Sequence, residues 1–363
     1  MSFVIGGLGT ALPEHRVEQA RAAELTSRLS GHDDAQTRRL AALYRRSGVR
    51  TRHVALLDRL DVSGPDLGPD ANLLGPTTQA RMEHYEAAIQ PLALEASRRA
   101  LASSEMAASK ITHLVTVSCT GFTAPGFDLA LIEGLRLPPG VARTHVGFMG
   151  CHGALNGLRV ARAFAASEPS ARVLLCAAEL CSLHFRYGFG ADLAVSNALF
   201  GDGSAALVGY REGSNGALGD RDHPWRLVAN GSTLMPGTGD AMSWRIGDNG
   251  FAMTLSPQVA GHISENLRAW LVAWLGRHDL TLKDVGSWAV HPGGPRILDA
   301  VERALDLDPQ ALADSRAVLS ECGNMSSPTV LFILDRLRRR SAPLPCVSLG
   351  FGPGLVIEAA LFL

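Results

Sequence analysis

Apolar positions along the chain alternate between short continuous runs and longer stretches with apolar residues three and four apart. Continuous runs suit strands covered on both faces, and the longer spacing puts one apolar stripe on a helix. Phe3-Val-Ile-Gly-Gly-Leu-Gly-Thr-Ala-Leu-Pro predicts a strand entering a loop, and residues 17–47 read as helical and rich in arginine. Residues 60–76 hold several Gly, Pro and Asp and predict an irregular surface excursion. A helix capped at Thr77 or Thr78 then runs through Tyr85, Ile89 and Leu92 to Leu101. Strands are predicted at His113–Cys119, Thr144–Phe148 and Arg172–Glu179, with helices near Asp128–Leu135 and at Leu155–Ala166 between them.

A second round begins near Trp225 and loosely echoes the first. It comprises a helix at Ile263–Gly276, a strand at Ser287–Val290 and a helix at Thr329–Arg338. Cys346–Gly350, the turn Gly350-Phe-Gly-Pro-Gly354 and Leu355–Leu363 read as a hairpin. The pattern divides the chain into two βα-rich halves, 1–222 and 223–363. Gly7-Leu8-Gly9 does not continue into a dinucleotide fingerprint, because Pro13 interrupts where a helix should open.

Composition narrows the function. With 46% hydrophobic and 19% charged residues, the chain has the makings of a large folded core, so disorder is excluded as a general description. A net charge of −1 supports neither a nucleic-acid surface nor a polybasic membrane anchor. Only Lys110 and Lys283 are lysines among 34 Lys and Arg residues, a bias that reads as GC-rich bacterial coding. The six cysteines form no C-x-x-C pair and no His/Cys cluster at zinc spacing, so no metal is expected. With no signal-like start and no run of 18 apolar residues, the expectation is a cytoplasmic protein with reduced cysteines and no membrane span.

Three positions carry candidate chemistry. Cys151, in Gly-Phe-Met-Gly-Cys-His-Gly, falls where a strand ends and a helix begins. Free N–H groups and the helix dipole there lower a thiol pKa and make a nucleophile, although a small buried cysteine would also fit the junction. His291 follows a strand and enters Pro292-Gly-Gly-Pro295, which presents one imidazole at a strand's C-terminal end. Asn324 sits on a Gly-preceded turn before a helix, where it is either an N-cap or a hydrogen-bond donor. Phe200-Gly-Asp-Gly203 reads alone as a turn.

Together these segments resemble the type III polyketide synthases, the chalcone synthase-like family. Gly-Cys151-His-Gly, Leu199-Phe-Gly-Asp-Gly203, His291-Pro-Gly-Gly-Pro295, Gly323-Asn-Met-Ser-Ser327 and Gly350-Phe-Gly-Pro-Gly354 occur in the family's order and spacing, from about Phe3 to Leu363. The resemblance implies a thiolase-like αβαβα layered fold, a homodimer, and catalysis on acyl-CoA and malonyl-CoA with no metal or redox cofactor. It also implies the roles: Cys151 carries the acyl chain, His291 pairs with its thiolate, and His291 with Asn324 forms the oxyanion hole for decarboxylation. Phe200 matches the family's gate aromatic.

For the phosphates of coenzyme A, Arg39 and Arg46 match the family's basic positions, and Arg45 stands in for the basic residue that Ala42 replaces. Cys119 and Cys181 stand where plant members carry threonines, as in bacterial members making alkylresorcinols, alkylpyrones or tetrahydroxynaphthalene. His184, Trp244 and Met253 replace a small hydroxyl residue, a glycine and a second gate phenylalanine, while Thr120, Ser326 and Pro353 complete the implied pocket. These departures point away from an aromatic starter and toward an aliphatic one or malonyl-CoA itself. The competing readings are a ketoacyl synthase III-like or chain-joining enzyme of the same superfamily, and a non-catalytic dimeric scaffold.

Overall fold

The computed structural model describes residues 2–55, 75–188, 190–214 and 224–363, so the excursion expected over 60–76 lies almost wholly outside the described residues. The first round folds as β1 (Phe3–Ala11), β2 (His15–Glu18), α1 (Gln19–Leu29), α2 (Asp34–Arg46), β3 (Thr51–Val54) and α3 (Thr78–Ser104). It continues through β4 (His113–Ser118), α4 (Phe127–Leu135), β5 (Ala142–Gly147), α5 (Gly153–Ser167), β6 (Arg172–Leu180), α6 (Ala191–Leu199) and β7 (Asp202–Arg211). The second comprises β8 (Arg226–Leu234), β9 (Met242–Gly247), β10 (Gly250–Leu255), α7 (Val259–Gly276), β11 (Ser287–Val290) and α8 (Pro295–Leu305). It closes with α9 (Ala313–Cys322), α10 (Thr329–Arg339), β12 (Cys346–Gly352) and β13 (Val356–Phe362).

Nine strands form one ladder in the order β11-β12-β13-β8-β1-β7-β6-β4-β5. Among the described residues its two parts meet through the pairs Phe3↔Leu227 and Val4↔Arg226. Strand alternation then builds the layers. Val173, Leu175 and Ala177 of β6 pack with α5 and α10, while Leu174, Cys176 and Ala178 pack against α3 and α4. On β13, Ala360 and Phe362 share the core of α5 and α10, while Ile357, Ala359 and Leu361 pack under α7 and α8. Helices α5 and α10 are therefore a central layer between two half-sheets, each covered outside by further helices. This is the αβαβα order.

Three expectations need correction. The stretch 17–47 is not one helical run: β2 precedes Gln19, and Asp33 opens a second helix by accepting the Gln36 N–H at 2.8 Å while Gln36 returns the bond. Strand β5 is not covered on both faces; it is one of the ladder's two edge strands and is largely exposed. Strand β12 extends to Gly352, so the glycines read as a turn begin inside a strand. The β9–β10 hairpin went unpredicted, and it pairs Trp244 with Met253.

Candidate active site

Cys151 lies on a short 3-10 turn, Gly150–His152, between β5 and α5. Gly150 has φ +70°, and a Cβ there would collide with the Pro353 ring, so glycine alone lets the chain turn this tightly. The nucleophile position thus rests against the β12–β13 connection, far along the sequence.

The thiol is far more buried than its place before a helix suggests. Cys151 is only 7% exposed, and burial pushes its pKa up to about 11. Hydrogen bonding with Ser326 and Asn324 offsets part of that rise. A helix dipole favours the thiolate, but desolvation by distant segments outweighs it. Burial and the helix dipole therefore act on this thiol in opposite directions.

His291 follows β11, and its backbone N–H donates to the Leu349 carbonyl at 2.8 Å. The side chain is 1% exposed, and neither ring nitrogen has a partner among the described residues. Leaving two such atoms buried and unpaired costs about 1–3 kcal/mol each, which marks a group awaiting a ligand. Burial, reinforced by the adjacent His152, lowers its pKa to about 3, so the imidazole is neutral.

Asn324 is fixed from three sides. Its N–H donates to Leu199 O at 2.8 Å, its carbonyl accepts from Gly201 N at 3.0 Å, and its side-chain oxygen accepts the Ser326 N–H at 2.8 Å. The carboxamide oxygen being occupied, its NH₂ group is the end left to donate. The same bridge seats Phe200, which adjoins Leu199.

Cys151, His291, Asn324 and Phe200 line one cavity with Met242 and Met253. It adjoins a larger space of about 1030 Å³, part of it open to solvent, bounded by Cys119, Thr120, Cys181, His184, Trp244, Ser326 and Pro353. The structure thus brings every pocket position singled out in the sequence to one wall. His184 is held rigidly: Nε2–H donates to Thr120 O at 2.6 Å, Nδ1 accepts from Phe251 N at 3.0 Å, and the ring stacks on Phe251. Burial lowers its pKa to about 4.

A groove lined by Arg39, Ala42 and Arg46 of α2 runs along Leu255–Val259 to Gly293–Ile297 and shares Leu199, Leu255, Gly293 and Ile297 with the Cys151 cavity. Arg45 is not among its lining residues, whereas Arg296, which sequence reasoning missed, is. Also missed was Glu179, the fully buried last acid of an apolar strand. It accepts from Cys119 N at 2.9 Å, Thr120 Oγ1 at 2.7 Å and Ser327 Oγ at 2.6 Å, joining the end of β4 to the Asn324 loop. Burial raises its pKa, and these bonds pull it back. An acid ending a run as apolar as Val173–Ala178 was the available signal.

Among the described residues no group of three or more His, Cys, Asp or Glu is placed to hold a metal ion, and no helix is long and apolar enough to cross a membrane.

Comparison with known proteins covers the whole of this framework. Residues 2–211 match the family model of the chalcone and stilbene synthase N-terminal domain, and 226–363 that of the C-terminal domain. The chain is 34% identical over 368 residues to the alpha-pyrone synthesis polyketide synthase-like Pks18 of Mycobacterium tuberculosis, covering 99% of this chain and 90% of that protein. The crystal structure of PKS-I from the brown alga Ectocarpus siliculosus superposes with a TM-score of 0.91 at 32% identity, covering 99% and 98% of the two chains. The C-terminal type III polyketide synthase domain of Steely1, a type I/III hybrid from Dictyostelium, gives 0.89 at 27% identity, covering 100% and 99%.

Proposed function

Since the chain belongs to the chalcone and stilbene synthase family, the type III polyketide synthases of the thiolase superfamily, we propose that it extends an aliphatic acyl-CoA, or malonyl-CoA itself, with malonyl-CoA and cyclises the product. The family are acyltransferases that work on coenzyme A thioesters without a further cofactor. The cyclised product we propose is a resorcinol, pyrone or naphthalene. The observation that carries this reading is the shared cavity of Cys151, His291 and Asn324, opening onto a largely apolar space.

In this mechanism the Cys151 thiol gives its proton to His291 as its sulfur attacks the starter carbonyl. The proton then leaves with the departing coenzyme A thiolate. Malonyl-CoA follows, and its C–C bond to the carboxylate breaks as CO₂ departs. The electron pair moves onto the thioester, where the neutral His291 N–H and the Asn324 amide donate to the oxygen that becomes negative. The carbanion attacks the acyl carbon and the bond to Cys151 breaks, leaving a Cys151 thiolate that takes the extended chain back from coenzyme A, which departs as its own thiolate, for another round. Phe200 keeps water from the carbanion.

We also propose that Arg39, Arg46 and Arg296 receive the coenzyme A phosphates, with Arg45 adding charge from the same helix. A division of the chain at 222/223 belongs to the same reading, one half bringing Cys151 and the other His291 and Asn324. A homodimer is supported by the exposed outer strand β5, beside which Phe122 (53% exposed), Phe148 and Met149 form an apolar patch. A panel of acyl-CoA starters with malonyl-CoA, products identified by mass, tests the proposal. Consumption of one malonyl-CoA per starter would instead indicate a single-condensation ketoacyl synthase.

A further inference from the structure

Arg52 of β3 is a buried cation that the reaction itself does not use. It is 4% exposed, and the Asp202 carboxylate acts on it through space without a hydrogen bond, Asp202 being engaged by Ser182 and the Ala55 N–H. Burying a guanidinium without a direct counter-ion is expensive, so its bonds must hold something in place.

They hold the last turn of α6. Arg52 Nη1 donates to the carbonyls of Asn197 at 2.6 Å and Phe200 at 2.8 Å, and Nη2 donates to Ala198 O at 2.7 Å. These carbonyls are the negative end of the helix dipole, where a cation is favoured. Leu199, lying between them, gives its own carbonyl to the Asn324 N–H, and Gly201 N–H donates to Asn324 O. One side of the segment is thus pinned by Arg52, and its other side pins Asn324.

The hold extends outward to the groove. Arg52 Nη2 also donates to Gln19 Oε1, and Gln19 Nε2 donates to Ser47 Oγ at 2.7 Å and Ala198 O at 2.9 Å. Ser47 caps α2, the helix that carries Arg39 and Arg46, and the Arg52 guanidinium lies 5.8 Å from the centre of the Tyr44 ring on that helix. A continuous buried strut therefore runs from the groove helix through Gln19 and Arg52 to the Phe200–Asn324 bridge.

The geometry assigns Arg52 as a positioning residue for carbanion formation: it fixes Phe200 and Asn324 in place and, with Gln19, sets their position relative to the helix at the groove. The assignment rests on the reading of Asn324 as a donor in decarboxylation. Lysine keeps the charge but not the planar fork that reaches three carbonyls. A displacement of about 1 Å at a reacting group is enough to cost about 100-fold in rate.

The full-length Arg52→Lys and Gln19→Leu variants test this by separating the half-reactions. Acylation of Cys151 by octanoyl-CoA is followed by intact mass, and decarboxylation by the acetyl-CoA formed from malonyl-CoA. For Arg52→Lys, decarboxylation kcat should fall about 10–100-fold. The KM for malonyl-CoA and the acylation rate should each stay within about threefold. Gln19→Leu should give a smaller loss of the same kind, and guanidinium should restore decarboxylation to Arg52→Ala. Equal losses in both half-reactions that track a lower Tm, or no loss in either, would overturn the assignment. Asn324→Ala serves as the control: if it decarboxylates at the normal rate, the donor reading itself fails, whatever Arg52 does. Should Arg52→Ala not fold, the lysine and Gln19 variants still decide the question.

Discussion

Trp244 donates its indole N–H to the Cys119 carbonyl at 2.7 Å, closing one side of the large cavity with a side chain from the β9–β10 hairpin. The ring also meets His184 edge-on at 5.3 Å, and His184 is itself locked by two hydrogen bonds. Trp244 is therefore a fixed wall of the cavity, and under the proposed function it sets the limit on chain length. Trp244→Ala should shift preference toward longer starters, raising kcat/KM for tetradecanoyl-CoA relative to octanoyl-CoA about tenfold, the order expected when several methylenes gain room. Unchanged relative values would mean that another residue sets the limit.

Cys151 should alkylate slowly at neutral pH. Its thiol pKa is raised to about 11, so the reactive thiolate fraction grows as pH rises. Below that value each pH unit adds a factor of about ten, so the iodoacetamide rate should climb steadily from about pH 7 to about pH 10. Intact mass after alkylation reads it directly, with Cys151→Ala as the blank and a variant expected to make no product. A rate that is fast and flat over that range would show a standing thiolate–imidazolium pair.

Much of the fold was legible because β6 is apolar at every position from Val173 to Ala178, which only a strand buried on both faces needs. Cys151, His291 and Asn324 were legible as a set because their flanking glycines and prolines repeat a known family's order. What failed was whatever depends on distant residues. Nothing near Cys151 in sequence announces how deeply the fold buries it, and that burial opposes the helix dipole. The Phe200–Asn324 bridge joins residues far apart in sequence, and no local pattern encodes it. Strand β5 carries Val146 and Gly147 yet is exposed, because exposure depends on its place at the sheet edge.

Removing either oxyanion donor should slow carbanion formation more than acyl transfer. Asn324→Ala and His291→Ala are each expected to reduce malonyl-CoA decarboxylation about 10²–10³-fold, the usual cost of one such donor. His291 stays neutral above its pKa of about 3, so the wild-type decarboxylation rate should not fall through loss of its proton between about pH 5 and about pH 8. A rate that falls as pH rises through the ordinary histidine value would show that the imidazole is charged when it works.

Neutralising the groove should weaken substrate capture and spare the chemistry. The Arg39→Gln, Arg46→Gln double variant removes two cations from the groove lining. KM for malonyl-CoA should rise about tenfold at low salt with kcat little changed, and the difference should shrink as salt screens the wild type. If kcat falls instead, these arginines do more than hold phosphates.

The starter follows from what lines the cavity. Cys119 and Cys181 end apolar strands, their thiols are buried, and burial raises both pKa values well above that of a free cysteine, so neither offers a charge. His184 has both ring nitrogens engaged, and the Trp244 N–H is already spent on Cys119. Few free polar groups remain to orient a phenol. A flexible aliphatic chain needs none, and its burial yields about 0.8 kcal/mol per methylene. Eight carbons therefore carry several kcal/mol that hydrogen bonding to a coumaroyl ring would have to match. In a competition at equal concentration, octanoyl-CoA should acylate Cys151 in preference to coumaroyl-CoA by at least about tenfold, read by the mass of the loaded protein. Malonyl-CoA alone should then show whether self-priming competes. Preferential loading of the aromatic starter would overturn the aliphatic reading while leaving the family and its three site residues untouched.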